Sequence, residues 1–110
     1  MPLLKRARIE VYLPERNDIS YSRLQQVIEK EFLATFGGCT VIRNIKGLYV
    51  GSNDEPATDQ IDLVYADTPF KLDGNLQAVL DYIDQLQAAA IEASQEESIL
   101  VVVHEIYHSL

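Results

Sequence analysis

The sequence predicts an α+β protein whose elements run strand, helix, strand, strand, helix, strand, and three observations predict it. Four short segments, Arg8–Leu13, Thr40–Val50, Gln60–Asp67 and Ser98–Tyr107, are rich in β-branched and aromatic residues and alternate or run apolar as strands do. Two longer segments, Tyr21–Phe36 and Leu76–Ile91, repeat their apolar residues at helical spacing. The two middle strands are separated only by the polar stretch Gly51–Asp59, so they form a hairpin from which the chain builds outward in both directions. With 110 residues, 47% of them hydrophobic, the chain suffices for one packed core and is short for two, so residues 1–110 are expected to form a single domain.

In the first strand Ile9, Val11 and Leu13 share one face while Arg8, Glu10 and Tyr12 share the other, the pattern of a half-buried strand. Pro14 and the turn-forming residues up to Asp18 end it, and Asp18 or Ser20 is placed to cap the helix that follows. Leu24, Val27, Ile28, Phe32 and Phe36 make the buried stripe of that helix, Arg23, Gln26, Glu29 and Lys30 its solvated side, and Gly37-Gly38 supplies a left-handed stop. The second strand alternates unevenly: Val41, Ile42, Ile45, Leu48 and Val50 cannot all point one way in a regular pleat, so a bulge is expected around Asn44 to Gly47. The connection Gly51–Asp59 is longer than a tight turn and is expected to be a mobile loop.

In the third strand Ile61, Leu63 and Tyr65 alternate with Asp62, Val64 and Ala66, and Thr68-Pro69 ends it. Asp73-Gly-Asn75 offers cap residues for a second helix with the stripe Leu76, Val79, Leu80, Ile83, Leu86, Ala90 and Ile91. The last strand is apolar on both faces through Val103 and mixed from His104. A strand that is apolar front and back needs cover on both sides, and two helices shield only one face of a four-stranded sheet.

These elements compose a ferredoxin-like sandwich, an antiparallel sheet of order 4-1-3-2 with both helices on one face. The open face is expected to carry Glu10, Tyr12, Asp62 and Val64. From the last strand it takes either Leu100, Val102, His104 and Ile106 or Val101, Val103, Glu105 and Tyr107. Apolar residues on an open face imply a partner, and a homodimer formed face to face or through an edge strand, with Leu100, Val102 and Ile106 at its interface, is the economical one. The function expected is a non-enzymatic interaction module that binds itself or another protein. The alternative is a small enzyme or ligand-binding protein with a pocket on the same face, ringed by Glu10, Tyr12, Asp62 and His104, the last aligning with Glu10 and Asp62 across three strands as an acid–base or metal-binding set. Ordinary cross-strand polar pairing accounts for the same residues without chemistry.

Glu10-x-Tyr12, Phe36-Gly-Gly-Cys-Thr-Val41, Gly47-Leu-Tyr49 and Glu97-Ser-Ile-Leu100 resemble the pattern of a family of small uncharacterised bacterial proteins. In that pattern a Phe-Pro-x-Gly-x-Thr-Val segment leads into a strand with Gly-x-Trp, and Glu-Ser-Val-Leu opens the last strand. Gly37 stands here where the family has Pro, and Tyr49 where it has Trp. The resemblance implies a ferredoxin-like fold and an unassigned activity, and it supplies no catalytic residue. Many members of the family are exported, whereas the amino terminus here has no apolar core or small-residue cleavage site, so a cytoplasmic location is expected.

Composition narrows the partners. All nine Lys and Arg lie between Lys5 and Lys71, nearly balanced by ten acids, whereas seven acids and no base follow from Leu72, so almost the whole net charge of −8 sits in the last third. Such a surface repels phosphate backbones, and nucleic acid is not expected as a partner. Tyr12, Tyr49, Tyr65 and Tyr107 lie on strands without the basic surround that base stacking needs. The longest apolar run, Ile99 to Val103, is too short to cross a membrane. Gly37-Gly38 follows a helix rather than a strand, so no phosphate loop is present, and no cofactor or metal is implied. Cys39, the lone cysteine, has no disulfide partner within the chain and reads as a small buried hydrophobe, and His108 reads as a surface residue.

Overall fold

A computed structural model of the chain describes residues 3–14, 19–94 and 99–109. The elements are β1 (Leu4–Pro14), α1 (Ile19–Phe36), β2 (Thr40–Val50), β3 (Pro56–Asp67), α2 (Leu76–Ser94) and β4 (Leu100–His108). The strands form one antiparallel sheet in the order β2-β3-β1-β4, the predicted order read from the other edge. This is the ferredoxin-like arrangement. The expected caps Asp18 and Ser20 and the start of the last strand at Ser98 fall outside the described residues or side chains.

Strand period divides the faces. Ala7, Ile9, Val11 and Leu13 of β1 are buried beneath the helices, where they meet Leu24, Ile28 and Phe32 of α1 and Val79, Ile83, Leu86 and Ala90 of α2. Gly37 stops α1 with φ of 78° while its N–H donates to Leu33 O at 3.0 Å, the left-handed cap its sequence position predicts. Two residues expected in the α2 stripe, Leu76 and Leu80, are exposed instead. The buried line runs through Val79, Ile83, Leu86, Ala90 and Ser94, and a stripe that narrow leaves the two leucines on its flank.

The middle hairpin differs from expectation. β3 begins at Pro56, and Gly47–Val50 pair with Pro56–Asp59, so the second part of the predicted loop is strand. The turn is only Gly51–Glu55, closed by Gly51 N–H to Glu55 O at 2.8 Å and Asp54 N–H to Gly51 O at 3.1 Å. A proline at the first position of a strand costs no ladder bond in the interior, which is why Pro56 does not prevent this pairing. The bulge lies earlier than expected, between Ile42 and Ile45, with Asn44 at φ of 62°. Among the described residues β1 pairs with β3 no further than Ile61, so beyond it the hairpin is a two-stranded ribbon, and the molecule measures 47 × 27 × 24 Å.

Candidate functional site

Residues paired across antiparallel strands share a face, so the register fixes what lies on the side without helices. Glu10 stands between Tyr65 and Val102, Tyr12 between Leu63 and Leu100, Arg8 between Asp67 and His104, and Arg6 beside Ile106. Of the two registers open for β4, the one placing Leu100, Val102, His104 and Ile106 on this face holds; Val101 and Val103 pack against the core instead. β2 adds Ile42, Ile45 and Tyr49, opposite Leu63, Ile61 and Ala57. The face is therefore apolar towards Leu100 and the ribbon and charged towards Arg6.

Its polar centre is Glu10. The Tyr12 hydroxyl donates to Glu10 Oε1 at 3.2 Å, and His104 Nε2 lies 3.4 Å from the same oxygen. Burial, and then the neighbouring Glu10 charge, push the Tyr12 phenol above its ordinary pKa, so it remains a donor. Beside this cluster Arg8 makes a two-pronged bond to Asp67, Nε to Oδ1 at 2.6 Å and Nη2 to Oδ2 at 3.1 Å, with its guanidinium 4.2 Å over the Tyr65 ring. The bond to Asp67 is the chief reason the Arg8 pKa is raised. Such a planar, stacked pair holds β1 and β3 in register and gives the face fixed charges.

Asp62 and Val64 do not belong to this face. Both point under the helices: Asp62 pairs with Leu13 and Val64 with Val11, and Val64 is fully buried. The expected alignment of His104, Glu10 and Asp62 therefore does not form. The core takes Val64 and Ala66, and strand period carries Asp62 inward with them. Its carboxylate, 3% exposed, accepts from the Tyr21 hydroxyl, from Asn44 N–H at 3.1 Å and from Arg43 Nη1 at 3.5 Å. With its amide oxygen turned to the guanidinium, Gln25 accepts from Arg43 at 2.7 and 3.1 Å. The two bulge residues, Arg43 and Asn44, thus both answer one buried carboxylate, which fixes where β2 bends.

Cys39 is half-buried against the core, and desolvation with the Glu29 charge raises its thiol pKa, the opposite of an activated nucleophile. His108 is part-buried on β4 beside Leu4 rather than loose on the surface. Among the described residues no group of three His, Cys, Asp or Glu side chains is placed to hold a metal ion. No helix among them is long and apolar enough to cross a membrane. Sequence reasoning did not pair Arg8 with Asp67 or Asp62 with Arg43; opposite charges at matching register carry the first, and an acid inside an apolar strand signals the second.

No family model matches the chain, and no curated protein matches it in sequence. Solved structures do match in shape. CutA1 from Oryza sativa aligns with a TM-score of 0.58 at 16% identity, over 98% of this chain and 85% of that one. The divalent cation tolerance protein CutA1 of Thermus thermophilus aligns with a TM-score of 0.58 at 11% identity, over 94% and 84%. The CutA1 of Ehrlichia chaffeensis aligns with a TM-score of 0.58 at 10% identity, over 96% and 84%. At these identities the likeness concerns the fold.

Proposed function

We propose that the chain is a non-enzymatic interaction module that self-associates, as a homodimer, through the open face of its sheet around β4. One observation carries this reading: the face that the helices leave uncovered is apolar over its β4 and ribbon half, with Leu100 59% exposed and Ile42 and Tyr49 also open to solvent. A second copy, presenting the same patch about a twofold axis, would cover it with chemistry already matched to it.

The two sheet edges support β4 as the centre. β2 carries a bulge, Arg43 and Lys46, devices that discourage edge pairing, whereas β4 pairs regularly with β1 from Leu100 to His108 and has no Lys, Pro or bulge. Leu100, Val102 and Ile106 then lie at the contact, whether the copies meet by face or by edge. The ligand-binding alternative keeps Glu10, Tyr12 and His104, which converge within hydrogen-bonding reach, and loses Asp62. The name divalent cation tolerance belongs to the structural neighbours, and metal binding is not part of this proposal.

Size exclusion with light scattering tests it. The expected wild-type mass is twice 12.4 kDa, and Val102→Asp, which sets a second carboxylate beside Glu10 in the apolar patch, returns it to one copy. A wild-type protein that runs as one copy at all concentrations, or a Val102→Asp variant that keeps the assembly, refutes the interface.

A further inference from the structure

On the other side of the sheet, where the end of α1 and the start of α2 separate, a cavity of about 240 Å3 reaches down to Ile9 of the core. Three aromatic rings wall it, those of Phe36, Phe70 and Tyr82, with Tyr82 set edge-on to Phe36 at 5.3 Å. The wall bearing Phe70 is pinned. Thr68 N–H donates to Ala7 O at 2.9 Å, Ala7 N–H to Phe70 O at 2.8 Å, and Thr68 Oγ1 accepts from Phe70 N–H at 3.1 Å. The backbone of that wall is thus held in place by hydrogen bonds to β1 and within the turn.

All but one of the polar side chains around it are already engaged within the protein. The Thr68 hydroxyl also donates to Phe70 O at 3.2 Å, the Thr35 hydroxyl donates to Glu31 at 2.9 Å, and the Asn75 amide donates to Lys71 O at 3.0 Å and Asp73 O at 3.5 Å. The exception is the Tyr82 hydroxyl, which is shut off from solvent beside Thr35 and Glu31 with no hydrogen-bond partner among the described residues, and burial holds it protonated, with a pKa of about 12. Among the described residues no Lys, Arg or His lines the space to receive an anion, and Glu31 stands behind Tyr82.

We propose that this cavity binds a compact, uncharged monocyclic aromatic molecule. Size and chemistry both select that class. An apolar cavity of about 150 Å3 accepts benzene, so 240 Å3 takes one ring with a small substituent. Sites for larger ligands begin at about 300 Å3, which leaves nucleotides and fused-ring cofactors outside. The rings of Phe36, Phe70 and Tyr82 offer the offset and edge contacts that a fourth ring favours.

Titration of the 15N-labelled protein with toluene, and separately with benzoate, tests the assignment. Toluene is expected to give saturable shifts confined to residues 35–36, 68–70 and 75–82, and benzoate to bind at least tenfold more weakly. Ala78 is an exposed helix residue on the rim, so Ala78→Trp fills the space and lowers toluene affinity at least tenfold with an unchanged far-UV CD spectrum. The smaller Ala78→Leu moves affinity in the same direction, which covers a failure of the larger variant to fold. Gln26→Ala, on the exposed side of α1 and outside the cavity lining, leaves it unaltered. Absence of saturable toluene shifts, shifts centred on the open face, benzoate binding equal to toluene, or full affinity in both Ala78 variants overturns the proposal.

Discussion

Replacing Asp62 by alanine removes the acceptor on which the root of the β2–β3 ribbon depends, and its cost can be worked group by group. The Tyr21 hydroxyl, on a residue 9% exposed, loses a charge-assisted partner, which for a buried donor costs about 1–3 kcal/mol. The Asn44 N–H belongs to an exposed residue, so water replaces most of what it loses. Arg43 lies 3.5 Å from Asp62 with its side chain 57% exposed, and an ion pair so solvated contributes under about 1 kcal/mol. Relief of the buried charge offsets part of the loss. The sum is about 2–3 kcal/mol for Asp62→Ala and about half that for Asp62→Asn, which keeps one acceptor. Tyr21→Phe should cost about 1–2 kcal/mol, and the double variant Tyr21→Phe/Asp62→Ala should fall short of the sum of the singles by about 1 kcal/mol or more. Urea unfolding followed by far-UV CD measures all four, since the chain has no Trp to report by fluorescence. A cost for Asp62→Ala below about 1 kcal/mol, or strict additivity with Tyr21→Phe, would refute the account of the bulge as built around a carboxylate.

Two further outcomes concern single groups. Burial raises the Tyr82 phenol from 10.0 to about 12, so the folded state keeps a proton that the unfolded chain gives up first. Its contribution is whole below pH 10 and is lost as pH rises towards 12, a fall of about 1 kcal/mol by pH 11 that Tyr82→Phe should not show. Urea unfolding at pH 8 and pH 11 compares the two proteins, and parallel losses would contradict it. At Gly37 an added Cβ meets no atom within 4 Å, yet φ is 78°. Gly37→Ala should therefore cost about 1 kcal/mol from conformation alone, read as a lowered urea midpoint with unchanged m, and a neutral result would count against the left-handed cap.

Legibility in the sequence followed how strongly the core constrained each residue. β1 was plain because Ile9, Val11 and Leu13 alternate with charged and polar neighbours, and that one strand already assigned Glu10 and Tyr12 to the open face. In β3 both half-sets are apolar enough to be buried, and Asp62 made the wrong half look solvent-facing. Only the tertiary partners Tyr21, Arg43 and Asn44 make an inward acid tolerable, and they come from elements far apart in sequence. Pro56-Ala-Thr58 has loop composition, so its strand state depends on pairing with Leu48, Tyr49 and Val50 rather than on local preference. The stacking of Arg8 on Tyr65 follows from a register that no local pattern encodes.

The ribbon itself is the strongest physical reason to expect a partner. Beyond Ile61, among the described residues, only β2 and β3 pair, and a two-stranded hairpin without a third strand or a helix behind it is marginal in water. This one is apolar on both sides: Tyr49 and Ala57 share the open face, while Leu48 and Val50, among the most exposed large side chains of the protein, share the other. Its root is fixed by Asp62, but nothing in the described chain supports its tip. If a second copy packs along the open face, it covers Tyr49 and Ala57 and steadies the ladder between Gly47–Val50 and Pro56–Asp59. Amide exchange in that ladder should then slow at least tenfold when protein concentration is raised from well below to well above the dissociation constant of the assembly, while amides at the centre of β1 stay unchanged. Equal exchange at both concentrations would mean that the ribbon lies outside the contact, and the interface would have to be confined to Leu100, Val102 and Ile106 of β4.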